Sequence, residues 1–270
     1  MKVTTSIHFN HELDLLEALI VEASHYSDRI VVKEGEANWK GEEKPLHATD
    51  NWDRFRKYPK AEVMVIPADE YYKNPQTKLE MCLNETKTRT YGWLDVCDSV
   101  DYVIETDVDE IIDRRYFPIL EQNMEEGYLH IALRYRNFLW YLNNRLGTHK
   151  TYRVFKTGEK EICLLPKGRA RIMPPGYAGY HFSGCVGGDD WGRKYTDMNL
   201  IYGFTNDEIG NYDWDRFRKE RCNVDKHRNE TELHGDILTE VQLDEYPEFI
   251  AANPELFPWW GAPRFVRCTG

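Results

Sequence analysis

The sequence predicts an α/β protein, a central mixed sheet flanked by helices with a helical C-terminal extension. Three observations predict it. The chain opens strand–helix–strand, long paired strands follow near its middle, and beyond residue 190 the pattern turns helical and charged. With 270 residues there is room for one large domain, or one domain and an appendage. The division expected is a body over residues 1–200 and an extension over 201–270 packed on the same domain.

Residues 3–9 form a β-branched and aromatic run, the first expected strand. Asn10 then stands as a plausible helix cap, with Leu13, Leu16, Ile20 and Ala23 on one helical face. Residues 28–33 read as a second strand ending at Glu34, and 62–67 as a third. Between them a polar loop with Trp39 at its centre runs through Gly41 and Lys44-Pro45-Leu46, and reads as functional. Residues 76–97 read as one long helix with Leu79, Leu83, Thr86, Thr90, Trp93 and Val96 on or near one face. It also carries Arg89, which either reaches a phosphate group or is a solvated helix cation.

That helix leads into Asp101-Tyr-Val-Ile-Glu-Thr-Asp107-Val-Asp109-Glu110, the stretch around which the chain is organised. An apolar strand ends abruptly in acids. In extended backbone, residues at i and i+2 point the same way, so Asp107 and Asp109 can face one point. Two hard oxygen ligands suit Mg²⁺ or Mn²⁺, and the strand-to-loop edge of such a sheet is where ligands bind. A solvated acidic turn would leave the same trace.

A short helix is expected at 116–126, then strands at 129–133, 137–142 and 150–156 in antiparallel pairing. Pro174-Pro175-Gly176 forces irregular backbone before Gly179-Tyr180-His181-Phe182-Ser183 and Gly187-Gly188-Asp189-Asp190. Helices are expected at 190–200, 213–222 and 246–252, and the aromatic, proline-rich tail at 257–263 is expected to pack back on the body. The hexapeptide Trp-Asp-Arg-Phe-Arg-Lys occurs at 52–57 and again at 214–219, but its flanks do not match, so it marks no repeat fold.

Composition narrows the function. A net charge of −11 argues against a globally basic nucleic-acid binder. The six cysteines form no CxxC pair, so a zinc cage has no support. No secretory signal or membrane-length apolar stretch is visible, and a soluble, cytoplasmic protein is expected. Aromatics make up 13%, enough for stacking clefts as well as a core.

The combination resembles a GT-A-type glycosyltransferase, Rossmann-like in its layering. It is more closely similar to the family that adds the bisecting β-1,4-linked N-acetylglucosamine to N-glycans. The residues carrying this are Asn10-His-Glu-Leu-Asp14-Leu-Leu-Glu17, Gly41 with Lys44-Pro45-Leu46, Arg54-Phe55, Asp107-Val-Asp109-Glu110-Ile111 and Gly179-Tyr180-His181-Phe182-Ser183, spread over about residues 3–200. The resemblance implies a nucleotide-sugar donor, a UDP-sugar first among them, held through Mn²⁺ or Mg²⁺ and passed to a glycan hydroxyl with inversion. It implies metal ligation by Asp109, Asp107 and His181, and donor contacts from Glu34, Trp39, Lys44, Arg89 and Asp107. Asp189 or Asp190 would take the acceptor proton; an Asp at a helix start also caps. Two other readings stand beside it. One is a viral-type enzyme glycosylating a hydroxymethylated pyrimidine of DNA, supported by the cluster Arg216, Arg218, Lys219, Arg221, Lys226 and Arg228. The other is a nucleotide-sugar-binding module without turnover.

Overall fold

The computed structural model describes residues 1–139, 141–157, 171–183, 185, 236–259 and 264–267. The opening matches expectation closely. Strand β1 (Val3–Phe9), helix α1 (Leu13–Ala23), β2 (Arg29–Gly35) and β3 (Ala61–Ile66) follow in order, with a helical turn α2 (His47–Asp50) in the loop between β2 and β3. Asn10 is not the cap of α1; the helix starts after Glu12, without a side-chain cap, and the backbone carbonyl of Asn10 accepts from Lys44 Nζ at 3.2 Å.

The expected long helix is broken into α3 (Lys78–Thr90) and α4 (Trp93–Val96). Gly92, at φ +63°, turns the chain left-handed between them. Thr77 and Glu80 close a reciprocal capping box at the start of α3. The buried face differs from the expected one. Leu79 is 70% exposed, and Met81, Asn84 and Thr88 face inward. Polar anchoring decides this orientation: Asn84 binds the backbone of Tyr72 and Trp39, and Thr88 pairs with Tyr71.

Strand β4 (Tyr102–Asp107) is followed by β5 (Glu110–Ile112), α5 (Phe117–Glu125), β6 (His130–Leu139) and β7 (Asn144–Lys156). Two of the strands expected here are one. β6 runs unbroken through the Arg134-Tyr135-Arg136 stretch, and bulges absorb its irregularities against β7. Strands β8 (Arg171–Ile172) and β9 (Gly179–Ser183) complete the body.

The main sheet orders as β3-β2-β1-β4-β7-β6-β9-β5. Its first four strands are parallel and the rest mixed. β5 starts only three residues after β4 ends, yet lies four strands away along the hydrogen-bonded order. The second half of the sheet therefore curls back on itself. The core fills that curl and the space under α1, with Ile7, Leu16, Leu19, Ile30, Ile104, Tyr135 and Phe182 all buried.

The described tail is not only helical. β10 (Asp236–Ile237) pairs with β7, β11 (Glu240–Gln242) pairs with β12 (Arg264–Val266), and α6 (Glu248–Ala252) is the last expected helix. The helices expected at 190–200 and 213–222 lie outside the described residues. Glu22 joins body and tail, its two carboxylate oxygens accepting from Arg114 N and Glu248 N. The aromatic tail does pack back: Phe257 is buried, and Leu142 N donates to Pro258 O at 2.9 Å. No helix among the described residues is long and apolar enough to cross a membrane.

The resemblance residues Glu17 and Arg54 prove to be architectural. The buried Glu17 carboxylate accepts from Arg54 Nε at 2.6 Å and Tyr58 OH at 2.9 Å, and pairs with Lys57 at 2.7 Å. Burial pushes its pKa up, but the bonds from Lys57, Arg54 and Tyr58 outweigh this and hold it below the usual 4.5. A depressed folded pKa stabilises above the unfolded value and is lost as pH falls through the folded one. Glu17→Gln is thus expected to cost about 2 kcal/mol near neutrality. In chemical denaturation the gap from wild type should close as pH drops below about 4.5; a gap unchanged down to acid pH would show that the charge is not what matters.

Candidate functional site

A cavity of about 330 Å³ opens where β1, β2 and β4 end, at the carboxyl edge of the parallel strands. His8 and Asp107 are register partners on β1 and β4 at its floor. One wall is the loop after β2. Asn38 shapes that loop, its side-chain carbonyl accepting from the backbone of Lys40 and Glu42. Gly41 at φ +72° lets it pass the backbone of Tyr72, where a Cβ would meet Tyr72 O at 2.3 Å. Asn84 of α3 fixes the Trp39 carbonyl at 2.8 Å. Trp39 and Lys44 consequently line the cavity.

Glu34 does not. It is fully buried, and its carboxylate accepts from Ala48 N, Thr49 N and Thr49 Oγ1 at 2.9–3.0 Å. It caps α2 from below the loop, with Lys44 Nζ at 3.8 Å. A strand-end acid has been used to hold the loop rather than to meet a ligand.

The acidic turn is split. β4 stops at Asp107, so the extended alternation that would aim Asp107 and Asp109 at one point lapses at the turn. Asp107 is clamped by two guanidiniums: Arg89 at 3.0 Å and Arg153 at 2.9 Å. Both also hold Glu105, at 3.0 and 3.1 Å. Arg89 is therefore no solvated helix cation; its side chain is only 18% exposed. Burial alone would raise both acids, yet Glu105 is drawn down to about 2, with His8, Arg89 and Arg153 as the cause. Asp107 is held well below the usual carboxylate range by the two arginines first and then His8. In return, His8 is pushed below its ordinary value by burial and the Arg89 charge.

Asp109 turns toward His181, whose Nε2 lies 3.9 Å from Asp109 Oδ1. Strand alternation places His181. On β9, His181 and Ser183 line the cavity, whereas Tyr180 and Phe182 enter an aromatic core against Tyr246. His181 Nδ1 donates to Asn137 Oδ1 at 2.9 Å, which leaves Nε2 for the cavity. Pairing β9 with β5 sets His181 opposite Glu110. Gly179 permits that pairing, since a Cβ there would stand 1.9 Å from Ile111 O.

A residue that sequence reasoning missed completes the group. His149 of β7 stacks on His181 with ring centroids 4.0 Å apart, and its Nε2 is 3.0 Å from Glu110 Oε1. Ligand atoms of Glu110, His149 and His181 lie within 4.8 Å of one another. Arg153 was missed with it; both point into the cavity because they share one face of β7 four residues apart. No spacing in the chain links these positions, so only strand pairing could reveal them. Asp189 and Asp190, and the basic cluster at 216–228, lie outside the described residues.

The donor set fits a divalent ion. A buried carboxylate and two imidazoles converge, Asn137 orients one ring from behind, and Asp109 stands beside it. Mixed nitrogen and oxygen donors suit a transition ion better than Mg²⁺, which prefers oxygen alone.

Among solved structures the chain is similar to 4-diphosphocytidyl-2C-methyl-D-erythritol synthase from Anaerococcus prevotii DSM 20548, at 9% identity and a TM-score of 0.35, over 57% of this chain and 70% of that one. That likeness is too slight to bear on function. No curated protein matches. Glycosyltransferase family 17 matches residues 1–185, a stretch that includes every described residue lining the 330 Å³ cavity. With most of its length inside that match, the chain belongs to glycosyltransferase family 17 and is a glycosyltransferase.

Proposed function

We infer that this enzyme moves a sugar from a nucleotide-sugar donor, a UDP-sugar first among them, to a glycan hydroxyl with inversion, in a GT-A-type body that depends on a divalent ion. One observation carries the reading: Glu110, His149 and His181 converge beside an arginine pair at the cavity floor. Mn²⁺ would be held by Glu110, His149, His181 and Asp109, and when bound it supplies Lewis-acid neutralisation of the leaving diphosphate. Asp107 is a weaker ligand than its sequence position suggests, because both its oxygens are engaged by arginines.

The protein's own groups do the rest. Arg89 and Arg153 are forked, permanently charged donors, suited to phosphate oxygens. Negative charge grows on the diphosphate as the glycosidic bond breaks, and fixed guanidiniums offset it where it develops. Glu105 and Asp107 keep the two arginines from repelling each other and hold them in place. Trp39 offers a stacking face and Lys44 a further cation at the loop wall. Inversion needs a base for the acceptor hydroxyl, and Asp189 or Asp190, outside the described residues, is kept for that role from the sequence.

A thermal-shift panel of UDP-, GDP-, dTDP- and CMP-sugars, each with Mn²⁺, with Mg²⁺ and with chelator, tests the reading. One nucleotide class should raise the melting temperature, more with Mn²⁺ than with Mg²⁺. Equal shifts with chelator would remove the metal from the proposal, and no shift with any donor would remove the donor.

A further inference from the structure

A second cavity, of about 220 Å³, adjoins the first, and Glu12 lines both. We propose that this second cavity seats the acceptor, as a binding site for one neutral sugar ring; the proposal rests on the transferase reading above. A transferase must bring the acceptor hydroxyl against the donor's reacting carbon. Two cavities with a common wall at Glu12 meet that requirement.

The lining matches the two sides of a sugar ring. Leu13, Leu256, Phe257 and Pro258 form an apolar shelf for the C–H face. His11 and Asp14 supply groups for hydroxyls. His11 is the pointed observation. It is 7% exposed, and neither ring nitrogen has a hydrogen-bond partner among the described residues. Buried polar atoms are nearly always satisfied, so a buried imidazole left without partners at a cavity wall is a group awaiting one. A sugar hydroxyl both donates and accepts, and serves either tautomer.

Charge decides against an anionic occupant. Arg54 is the cation of the cavity among the described residues, and it is already taken by Asp14 and Glu17, at 2.6 Å each. A phosphate or carboxylate would meet Glu12 and Asp14 with no free cation to balance it. The volume also limits the occupant, since cavities for drug-sized ligands run about 300–1,000 Å³. One ring fits, with the remainder of a glycan outside.

The test uses saturation-transfer NMR with the methyl glycosides of mannose, N-acetylglucosamine and glucose, on wild type, His11→Phe and Leu256→Arg. His11→Phe keeps an aromatic ring and deletes two unsatisfied nitrogens, so a melting temperature equal to or above wild type is expected. Leu256 is 42% exposed, so an arginine there can obstruct the cavity without entering the core. At least one glycoside should bind wild type, and at least tenfold more weakly in both variants, while the Mn²⁺-dependent shift by nucleotide sugar stays unchanged. Undiminished glycoside binding in both variants overturns the proposal. So does the absence of glycoside binding by wild type that still shows the nucleotide shift, an outcome that leaves the donor reading standing. Glycoside binding lost in the variants, with no nucleotide shift in any protein, upholds this cavity and overturns the donor reading instead.

Discussion

His149→Ala is expected to lower turnover by on the order of 100-fold or more and to erase the Mn²⁺-dependent thermal shift, with the fold retained. His149 is the useful probe of the metal group because its loss harms little else. Its side chain is 34% exposed, whereas Glu110 is 1% exposed and lies against both His149 and Arg153. Alanine at 149 leaves β7 in register and opens no deep cavity. Removing one of three converging ligands, by contrast, breaks the donor set on one side. Two readings separate the metal from a structural role. Melting temperature without metal should stay within about 2 °C of wild type, on the scale for a surface-level change. Titration with Mn²⁺ alone, followed by electron paramagnetic resonance, should show weakened binding in the variant. Unaltered Mn²⁺ binding and activity would place the metal elsewhere, at the Asp107–Asp109 turn the sequence first suggests.

Arg153→Met should lower stability as well as donor binding. Arg153 spans Glu105 and Asp107 with separate nitrogens. Truncating it leaves the buried Glu105 and the half-buried Asp107 sharing Arg89 and His8. Breaking a buried pair from one side costs about 3 kcal/mol, which for a chain of this size is a fall in melting temperature of about 6 °C. Lysine should restore little, because a point charge cannot fork between two carboxylates. The double variant Arg153→Met/Asp107→Asn should lose less than the sum of its parts, since one of the two acids that lost their partner is gone. Donor affinity separates the assigned role from mere stability. If Arg153 meets the diphosphate, the double variant stays impaired in nucleotide-sugar binding even where stability recovers. Donor binding that recovers together with stability would restrict Arg153 to the fold.

Much of the framework was legible. β1, β2, β3 and β4 are short runs rich in β-branched residues, separated by helices or a polar loop, and local pattern suffices to find such strands. The abrupt change from Ile104 to Glu105 and Asp107 marked the site's edge before any fold was known. Legibility ended wherever one pattern has two physical solutions. Leu79 and Leu83 looked like a buried stripe, but α3 is moored by Asn84 and Thr88, whose hydrogen bonds do not show in hydrophobic periodicity. Glu34 could end a strand facing ligand or facing backbone, and three donors around α2 took it inward.

By itself, the sequence determined the α/β class, the order of the first four strands along the chain, and the acidic stretch at the end of the fourth, because each is written in residues near one another. The tertiary structure alone decided which groups share the site. Glu110 and His149 are 39 positions apart and meet at 3.0 Å. They do so because the sheet curls until β5 returns beside β4, carrying His181 opposite Glu110 on β9 and bringing His149 across from β7. Strand pairing between distant segments has no local signature, and a side chain's direction in a strand changes with a one-residue shift of register.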